Sequence, residues 1–304
     1  MAFERIAVLG CGLIGGSFAL GLKKQGFNGE IVGWDREEVL PRALERGAID
    51  RGTADLKEAV GVADLIYLAT PVTLILELLP AVAQTAKPGA LITDAGSTKV
   101  RICRLAQQVV PEGVHFLGGH PGAGKEAGGI ENASADLFSR AKYMLIQEAE
   151  EAVEQKTHRR DAEHAEQQAE EEFVAWVRRL GAEPVWLDAE THDWAMAMVS
   201  PLPQLLSTAL AATVWDETDE DGLPVSLAGA GFRDMTRLAA SPYDIWRDIC
   251  LTNSENLERA LDRMSQALER VRTQLRSKEL KEEFERAQRA VALLQSGARR
   301  SGDE

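Results

Sequence analysis

The sequence predicts an N-terminal α/β domain with a doubly wound parallel sheet, followed by an all-α domain. Three observations lead there. Short apolar runs alternate with helical segments through the first half. A glycine-rich turn follows the first run directly. From Asp188 onward the spacing is helical almost throughout. The strand-like runs are residues 6–9, 31–34, 65–69, 90–93, 115–117 and 143–146, and one more at 184–187 follows a helical stretch containing Trp176 and Leu180. Residues 191–215 read as helix, with Pro201 and Pro203 placed to kink or restart it. Residues 251–294 are rich in Leu, Ala, Glu, Arg and Gln at helical spacing. The domain boundary is therefore placed at Asp188, giving an α/β domain over 1–188 and a helical domain over 189–304.

Residues 148–172 interrupt this pattern with Glu, Gln, Ala, Lys, Arg and His and almost no bulky apolar residue. They read as a charged, solvated helical insertion, dispensable for chemistry. His158 and His164 lie six apart, which does not place both on one helical face, so a metal or partner site there is the weaker reading.

Composition sets the outer limits. A chain of 304 residues suits two domains, and the net charge of −14 disfavours a nucleic-acid partner, whose phosphates need a basic surface. Cys11, Cys103 and Cys250 form no C-x-x-C pair, so neither a disulfide framework nor a metal site is expected, and a reducing, cytoplasmic compartment fits. A strand-like run begins at Arg5 without a signal-peptide pattern. The apolar stretch 65–83 is broken by Pro71, Glu77 and Pro80, so it reads as strand and helix and not as a membrane span.

The chemistry begins at Gly10-Cys11-Gly12-Leu13-Ile14-Gly15. Gly10 suits the tight turn, Gly12 lets the backbone approach a pyrophosphate, and Gly15 lets the helix pack on the sheet. Gly10, Gly12, Leu13, Ile14 and Gly15 are thus candidate cofactor-binding residues at a helix N-terminus that favours phosphate. Asp35 follows Gly15 by 20 residues at the end of the second run, where an acid binds the adenosine ribose hydroxyls. A carboxylate there repels a 2′-phosphate, so NAD is expected over NADP. Arg36 could reach such a phosphate, or simply face solvent.

Further polar residues stand at the ends of later strands: Thr70-Pro71, then Asp94-Ala95-Gly96-Ser97-Thr98-Lys99, then Gly118-Gly119-His120-Pro121. In an open α/β sheet, ligands bind beyond these carboxyl ends, so the residues converge on one crevice. Thr70 and Pro71 are candidate cofactor contacts. His120 is the candidate catalytic base or else a turn histidine. Ser97 is its candidate partner, a helix N-cap, or both.

Taken together, the glycine turn, Asp94-x-x-Ser97-x-Lys99, Gly118-Gly119-His120-Pro121-x-Ala123-Gly124-x-Glu126, His192-Asp193 and Gly231-Phe232-Arg233-Asp234-x-Thr236-Arg237 resemble the prephenate and arogenate dehydrogenases of tyrosine biosynthesis. The resemblance runs from about residue 4 to residue 260. It implies a Rossmann domain followed by a helical domain that forms a homodimer. It implies that His120 takes the proton of the substrate's ring hydroxyl, that Ser97 contacts the same hydroxyl and orients the histidine, and that Arg237 binds the ring carboxylate. Glu126 and Trp246 match positions associated with gating or the dimer interface. Asp193 matches an aspartate near the active-site mouth, or is an acid in the first turn of its own helix.

The chain departs from the family at Ser200-Pro201-Leu202-Pro203-Gln204, where many prephenate-specific members have Ser-His-Leu-Pro-His. Gln204 can hydrogen-bond a substrate carboxylate but carries no charge. This leaves prephenate, arogenate, or both as substrate. Two rival readings are a β-hydroxyacid dehydrogenase and a non-catalytic NAD-binding protein. The first needs a lysine on the first long helix of the second domain, and residues 191–215 hold none.

Overall fold

A computed structural model describes residues 3–125, 127–147, 160–218 and 220–300. One eight-stranded sheet has the order β3-β2-β1-β4-β5-β6-β7-β8. Its strands are β1 (Arg5–Leu9), β2 (Glu30–Trp34), β3 (Arg51–Thr53), β4 (Leu65–Leu68), β5 (Leu91–Asp94), β6 (His115–Pro121), β7 (Lys142–Ile146) and β8 (Glu183–Leu187). Order reverses at β1, where the chain steps from β3 back across to β4, and this creates the crevice at the strands' carboxyl ends.

The sheet is parallel from β3 to β6. It is not parallel throughout, as the sequence pattern suggested: β7 runs antiparallel to β6, with His120 opposite Met144. An apolar run buried on both faces looks the same in either direction, so the sequence carried no sign of this. β3, three polar or small residues at the sheet's edge, was also not anticipated.

Helices cover both faces. On one side α1 (Leu13–Lys24) and α6 (Arg160–Arg179) bury Phe18, Leu22, Phe173, Trp176, Val177 and Leu180 against the sheet. Phe18 stacks on Tyr67 with ring centroids 4.0 Å apart. On the other side α3 (Leu56–Val60), α4 (Val72–Thr85) and α5 (Val100–Val109) contribute Val60, Ile75, Leu79, Val82 and Ile102 to a second apolar layer. This half also contains the short α2 (Leu40–Glu45) and a 3₁₀ turn at Ile130–Asn132.

The charged tract divides. Residues 148–159 lie outside the described residues. Residues 160–172 are the first turns of α6, and they are tied into the fold: Glu172 accepts the N–H of Phe3 at 2.6 Å and Ala169 packs against the core. The expectation that the whole tract is a solvated insertion is corrected to that extent.

At Asp188 the carboxylate accepts the N–H of Thr191 at 2.8 Å and caps α7 (Ala189–Val199). Ser200 then breaks the helix and Pro201, which has no N–H to give, opens α8 (Pro201–Asp216). By length and composition the run 189–216 is apolar enough to cross a membrane. Here it is broken at Ser200 and carries the buried polar residues His192, Asp193, Gln204 and Ser207. α9 (Ala230–Thr236), a 3₁₀ turn starting at Arg237 and α10 (Tyr243–Thr252) complete this part.

Residues 189–253 are fastened to the α/β part by polar bonds and form one compact unit with it, Met1–Asn253. Thr98 and Thr252 hydroxyls meet at 2.8 Å, and Asp248 accepts the N–H of Thr73 at the start of α4 at 3.3 Å. A second unit, Ser254–Glu304, consists of α11 (Ser254–Gln274) and α12 (Leu280–Arg300), joined by an Arg270–Glu283 pair at 3.2 Å.

At the end of β5 the fully buried Lys99 forms an ion pair with Asp94 and donates to the carbonyl of Gly119 at 2.6 Å. Asp94 in turn accepts the N–H of Gly119 at 3.2 Å, so both backbone groups of the residue before His120 are held by one pair. Removing one member leaves the other charged without compensation. Lys99→Met should therefore destabilise the protein by about 3–5 kcal/mol, and Asp94→Asn with Lys99→Met by distinctly less. Denaturant unfolding of both variants checks this; equal losses would mean the pair contributes nothing beyond packing.

Candidate active site

The turn after β1 explains its glycines by space. Gly10 has φ +97°, and a Cβ on it would lie 2.7 Å from the carbonyl of Ala69. A Cβ on Gly15 would lie 1.9 Å from the Gly10 oxygen, whereas one on Gly12 would meet nothing within 4 Å. Gly10 and Gly15 are therefore needed by the fold, while Gly12 keeps an open surface above the N-terminus of α1. The Asp35 carboxylate reaches this turn, accepting the N–H of Cys11 at 2.7 Å and that of Arg36 at 2.7 Å. Arg36 is exposed and lies 3.4 Å from Glu38.

A cavity of about 690 Å³ opens beside this turn. Leu13, Ile14, Thr70 and Pro71 line it on the α1 and β4 side, Ser97 and His120 at the ends of β5 and β6, and Met196, Pro201 and Trp246 on the helical side. The Thr70 hydroxyl and the Trp246 indole N–H are buried and bond nothing among the described residues.

His120 reaches the cavity because β6 passes unusually close to β5. A Cβ on Gly119 would sit 2.7 Å from the Asp94 carbonyl oxygen, and one on Gly118 would sit 2.9 Å from the Cys103 sulfur. Neither glycine has a positive φ, so the pair is required for close approach and not for an unusual backbone bend. The His120 ring is almost wholly buried. Its Nδ1 lies 2.9 Å from Nε2 of His192 on α7, and Nδ1 of His192 lies 2.8 Å from Oδ1 of Asp193. Burial, followed by the neighbouring His192 and Lys99, holds the His120 pKa well below the usual histidine range. His120 is neutral at physiological pH and keeps its Nε2 for the cavity.

Not every expected residue comes to this place. Asp193 does not stand at the cavity mouth; it is buried and caps another helix, accepting the N–H groups of Lys99 at 2.7 Å and Val100 at 3.0 Å at the start of α5. Ser97 is accordingly not that helix's cap, and no Ser97–His120 hydrogen bond occurs among the described residues. Gln204 is buried and is not among the residues lining the cavity, and it donates to the carbonyl of Leu238 at 2.8 Å. Arg237 is exposed and outside the cavity wall formed by one chain. Glu126 lies outside the described residues. His192, Lys99, Met196 and Lys125, which also lines the cavity, were not assigned roles from sequence. His192 could have been found from its place beside Asp193 in the first turn of α7.

Comparisons with known proteins give the family. Residues 18–159 match the family model described as prephenate dehydrogenase, nucleotide-binding domain, and residues 188–289 that described as prephenate dehydrogenase, dimerization domain. The prephenate dehydrogenase of Lactococcus lactis is 39% identical over 84% of this chain and 67% of its own length. The chain belongs to the prephenate dehydrogenase family. The cyclohexadienyl dehydrogenase of Zymomonas mobilis is 31% identical over 97% of both chains. The crystal structure of the Aquifex aeolicus prephenate dehydrogenase with hydroxyphenyl propionate and NAD+ superposes with TM-score 0.85 at 26% identity, covering 97% of this chain and 99% of that one.

As a member of this prephenate dehydrogenase family, the protein is an NAD-dependent oxidoreductase. The residues fit that cofactor. The open face at Gly12, the N-terminus of α1 and the unpartnered Thr70 hydroxyl offer a cradle beside a carboxylate at Asp35. The two glycines should separate in experiment. Gly12→Ala should keep the wild-type Tm but weaken NAD binding about tenfold or more by blocking the close approach. Gly15→Ala should lower stability by about 1–3 kcal/mol, because a methyl must be forced into a filled space. Thermal unfolding with and without NAD reads both effects, and a destabilised Gly12→Ala would refute the assignment.

Proposed function

We propose that this protein oxidatively decarboxylates prephenate with NAD, producing 4-hydroxyphenylpyruvate for tyrosine biosynthesis, with His120 as general base. The observation that carries the reading is a neutral, buried histidine whose Nδ1 is already engaged and which lines the cavity together with Ser97. NAD, when bound, supplies the hydride acceptor. Gly10, Gly12, Leu13, Ile14, Gly15, Thr70 and Pro71 would hold it, with Asp35 at the ribose.

The ring hydroxyl of the substrate gives its proton to Nε2 of His120 as its carbon loses hydride. The carbon–carbon bond to the ring carboxylate then breaks, its electron pair enters the ring, and CO₂ departs. Aromatisation to the phenol drives the sequence forward. Ser97 is assigned to the hydroxyl and Trp246 to the cavity wall beside it. Arg237 is assigned to the carboxylate on the strength of its motif, and Glu126 is assigned to the gating position on the same basis. Asp193 serves from behind the site. Gln204, which is bonded to Leu238, is assigned no direct substrate contact.

The functional division falls at Asp188, with cofactor binding before it and substrate binding and dimerisation after it. A homodimer is supported by the description of the matched C-terminal family model and by the exposed Val199, Trp215, Leu227 and Met235. Free thiols at Cys11, Cys103 and Cys250 suit a reducing, cytoplasmic setting. Arogenate is the second candidate substrate, favoured by the absence of a cationic side chain at position 204.

NADH formation with prephenate and with arogenate tests the reaction, and no turnover of either would remove the reading. His120→Asn should fold and bind NAD, with kcat lower by about 10²-fold or more. A base must be unprotonated to act. Because burial depresses the His120 pKa, activity is present above that pKa and is lost only as pH falls through it. The acid limb of kcat/KM in the wild type should thus lie below ~6.5 and vanish in His120→Asn. A limb unchanged in the variant would assign the titration to another group. Turnover with NADP should be weaker than with NAD, and Asp35→Ser should narrow the gap.

A further inference from the structure

We infer that His192 and Asp193 form a relay of positioning residues that fixes which nitrogen of His120 is the base. The inference rests on the reading of His120 as general base and adds how that base is set.

The argument starts from Asp193. Its two carboxylate oxygens accept the N–H groups of Lys99 and Val100, and Oδ1 also faces Nδ1 of His192 at 2.8 Å. A carboxylate held by two helix-terminal N–H groups is an acceptor only. His192 must therefore present a proton at Nδ1. With its ring proton on Nδ1, it has a bare lone pair at Nε2. That lone pair faces Nδ1 of His120 at 2.9 Å, so His120 must in turn present its proton there. The hydrogen-bond network thus assigns the Nδ1–H tautomer to both rings. The bare Nε2 of His120 is left for the cavity, where the hydroxyl proton has to be received.

This order opposes the intrinsic preference of a neutral histidine side chain, which favours the proton on Nε2. A His120 without the relay would direct an N–H, not a lone pair, at the substrate hydroxyl. The same chain serves after proton transfer. The His120 ring, then cationic, keeps its Nδ1–H on the His192 lone pair, which is polarised by the Asp193 charge behind it. The charged and titratable groups nearest His120 are Lys99, paired with Asp94 at the end of β5, and His192, paired with Asp193 on α7, while Lys125, Asp244 and Asp248 line the same cavity. The relay also crosses from helix α7 to strand β6. The base is therefore competent only when α7 is seated on the N-terminus of α5.

Long-range ¹H–¹⁵N NMR of histidine-labelled protein reads the tautomers directly, and the chain has only five histidines to assign. In wild type at neutral pH, His120 and His192 should both carry the proton on Nδ1. A His120 signal of the Nε2–H form would overturn the relay even if the enzyme is active. His192→Leu removes the acceptor, so His120 should move to the Nε2–H form. Its kcat should fall about 10–100-fold while the KM for NAD stays within about twofold, as expected for loss of an orienting partner. His192→Gln, which can offer an amide oxygen to His120 Nδ1–H, should recover part of kcat and the Nδ1–H signal. If His192→Leu fails to fold, the wild-type spectrum and His192→Gln still decide the matter. Equal kcat in all three proteins would refute the inference, whereas loss of His120→Asn activity tests the base itself.

Discussion

The Asp193 carboxylate is the interaction on which the rest of the site depends. It is a charge with almost no contact to water, and such burial costs several kcal/mol unless donors replace the lost hydration. Three donors do: two backbone N–H groups at the start of α5 and the Nδ1–H of His192. Each has a separate consequence. The backbone pair seats α7 on the α/β part and satisfies a helix end that would otherwise need a cap or a ligand. The histidine transmits the charge to the base. The N-terminus of α5, which opens towards the same crevice as that of α1, is thereby closed to phosphate. The open N-terminus at Gly12 remains for the cofactor.

Beside it, Lys99 and Asp94 do for the backbone what Asp193 does for the side chain. Holding both the N–H and the carbonyl of Gly119 fixes the strand at the residue before His120. The close approach that makes this possible requires a residue without a Cβ at 119. The motif Asp94-x-x-Ser97-x-Lys99 and the motif Gly118-Gly119-His120-Pro121 are thus two halves of one construction. Asp94 and Lys99 act on the reaction only through the position of the strand that carries the histidine.

Much of this was legible in the sequence because it was local. The turn Gly10–Gly15, the acid at Asp35, the strand ends and the helix break at Pro201 depend on neighbours a few residues away, and pattern reports such features well. The misreadings have a common cause in long-range pairing. Asp193 looked like an acid in the first turn of its own helix, whereas its carboxylate serves a helix start 94 residues earlier. Ser97 looked like that helix's cap because nothing local revealed that the cap came from elsewhere. The direction of β7 is likewise a property of its partner strand. Gln204 and Arg237 were read by resemblance to the family's motifs, and that resemblance alone carries the role assigned to Arg237.

The low pKa of His120 raises the question of how a weak base can serve. Burial disfavours the imidazolium, and Lys99 and His192 add to that, so the ring is a poorer proton acceptor than a histidine in water. The substrate compensates for this. As hydride leaves its carbon, the hydroxyl turns towards a protonated carbonyl, which is far more acidic than an alcohol. The proton is therefore released at the moment the carbonyl forms, and a modest base suffices if it is already deprotonated and correctly aimed. Both conditions are met by the same burial. A dry site keeps the ring neutral across the physiological range, and within it the hydrogen bonds that orient the ring meet no competition from water. A stronger, solvated histidine would gain affinity for the proton but would spend part of the population charged and lose its fixed orientation. The buried Trp246 N–H and Thr70 hydroxyl follow the same logic. With no partner among the described residues, each costs about 1–3 kcal/mol until a ligand acceptor meets it, which suits a cavity that holds a polar ligand and does not merely exclude solvent.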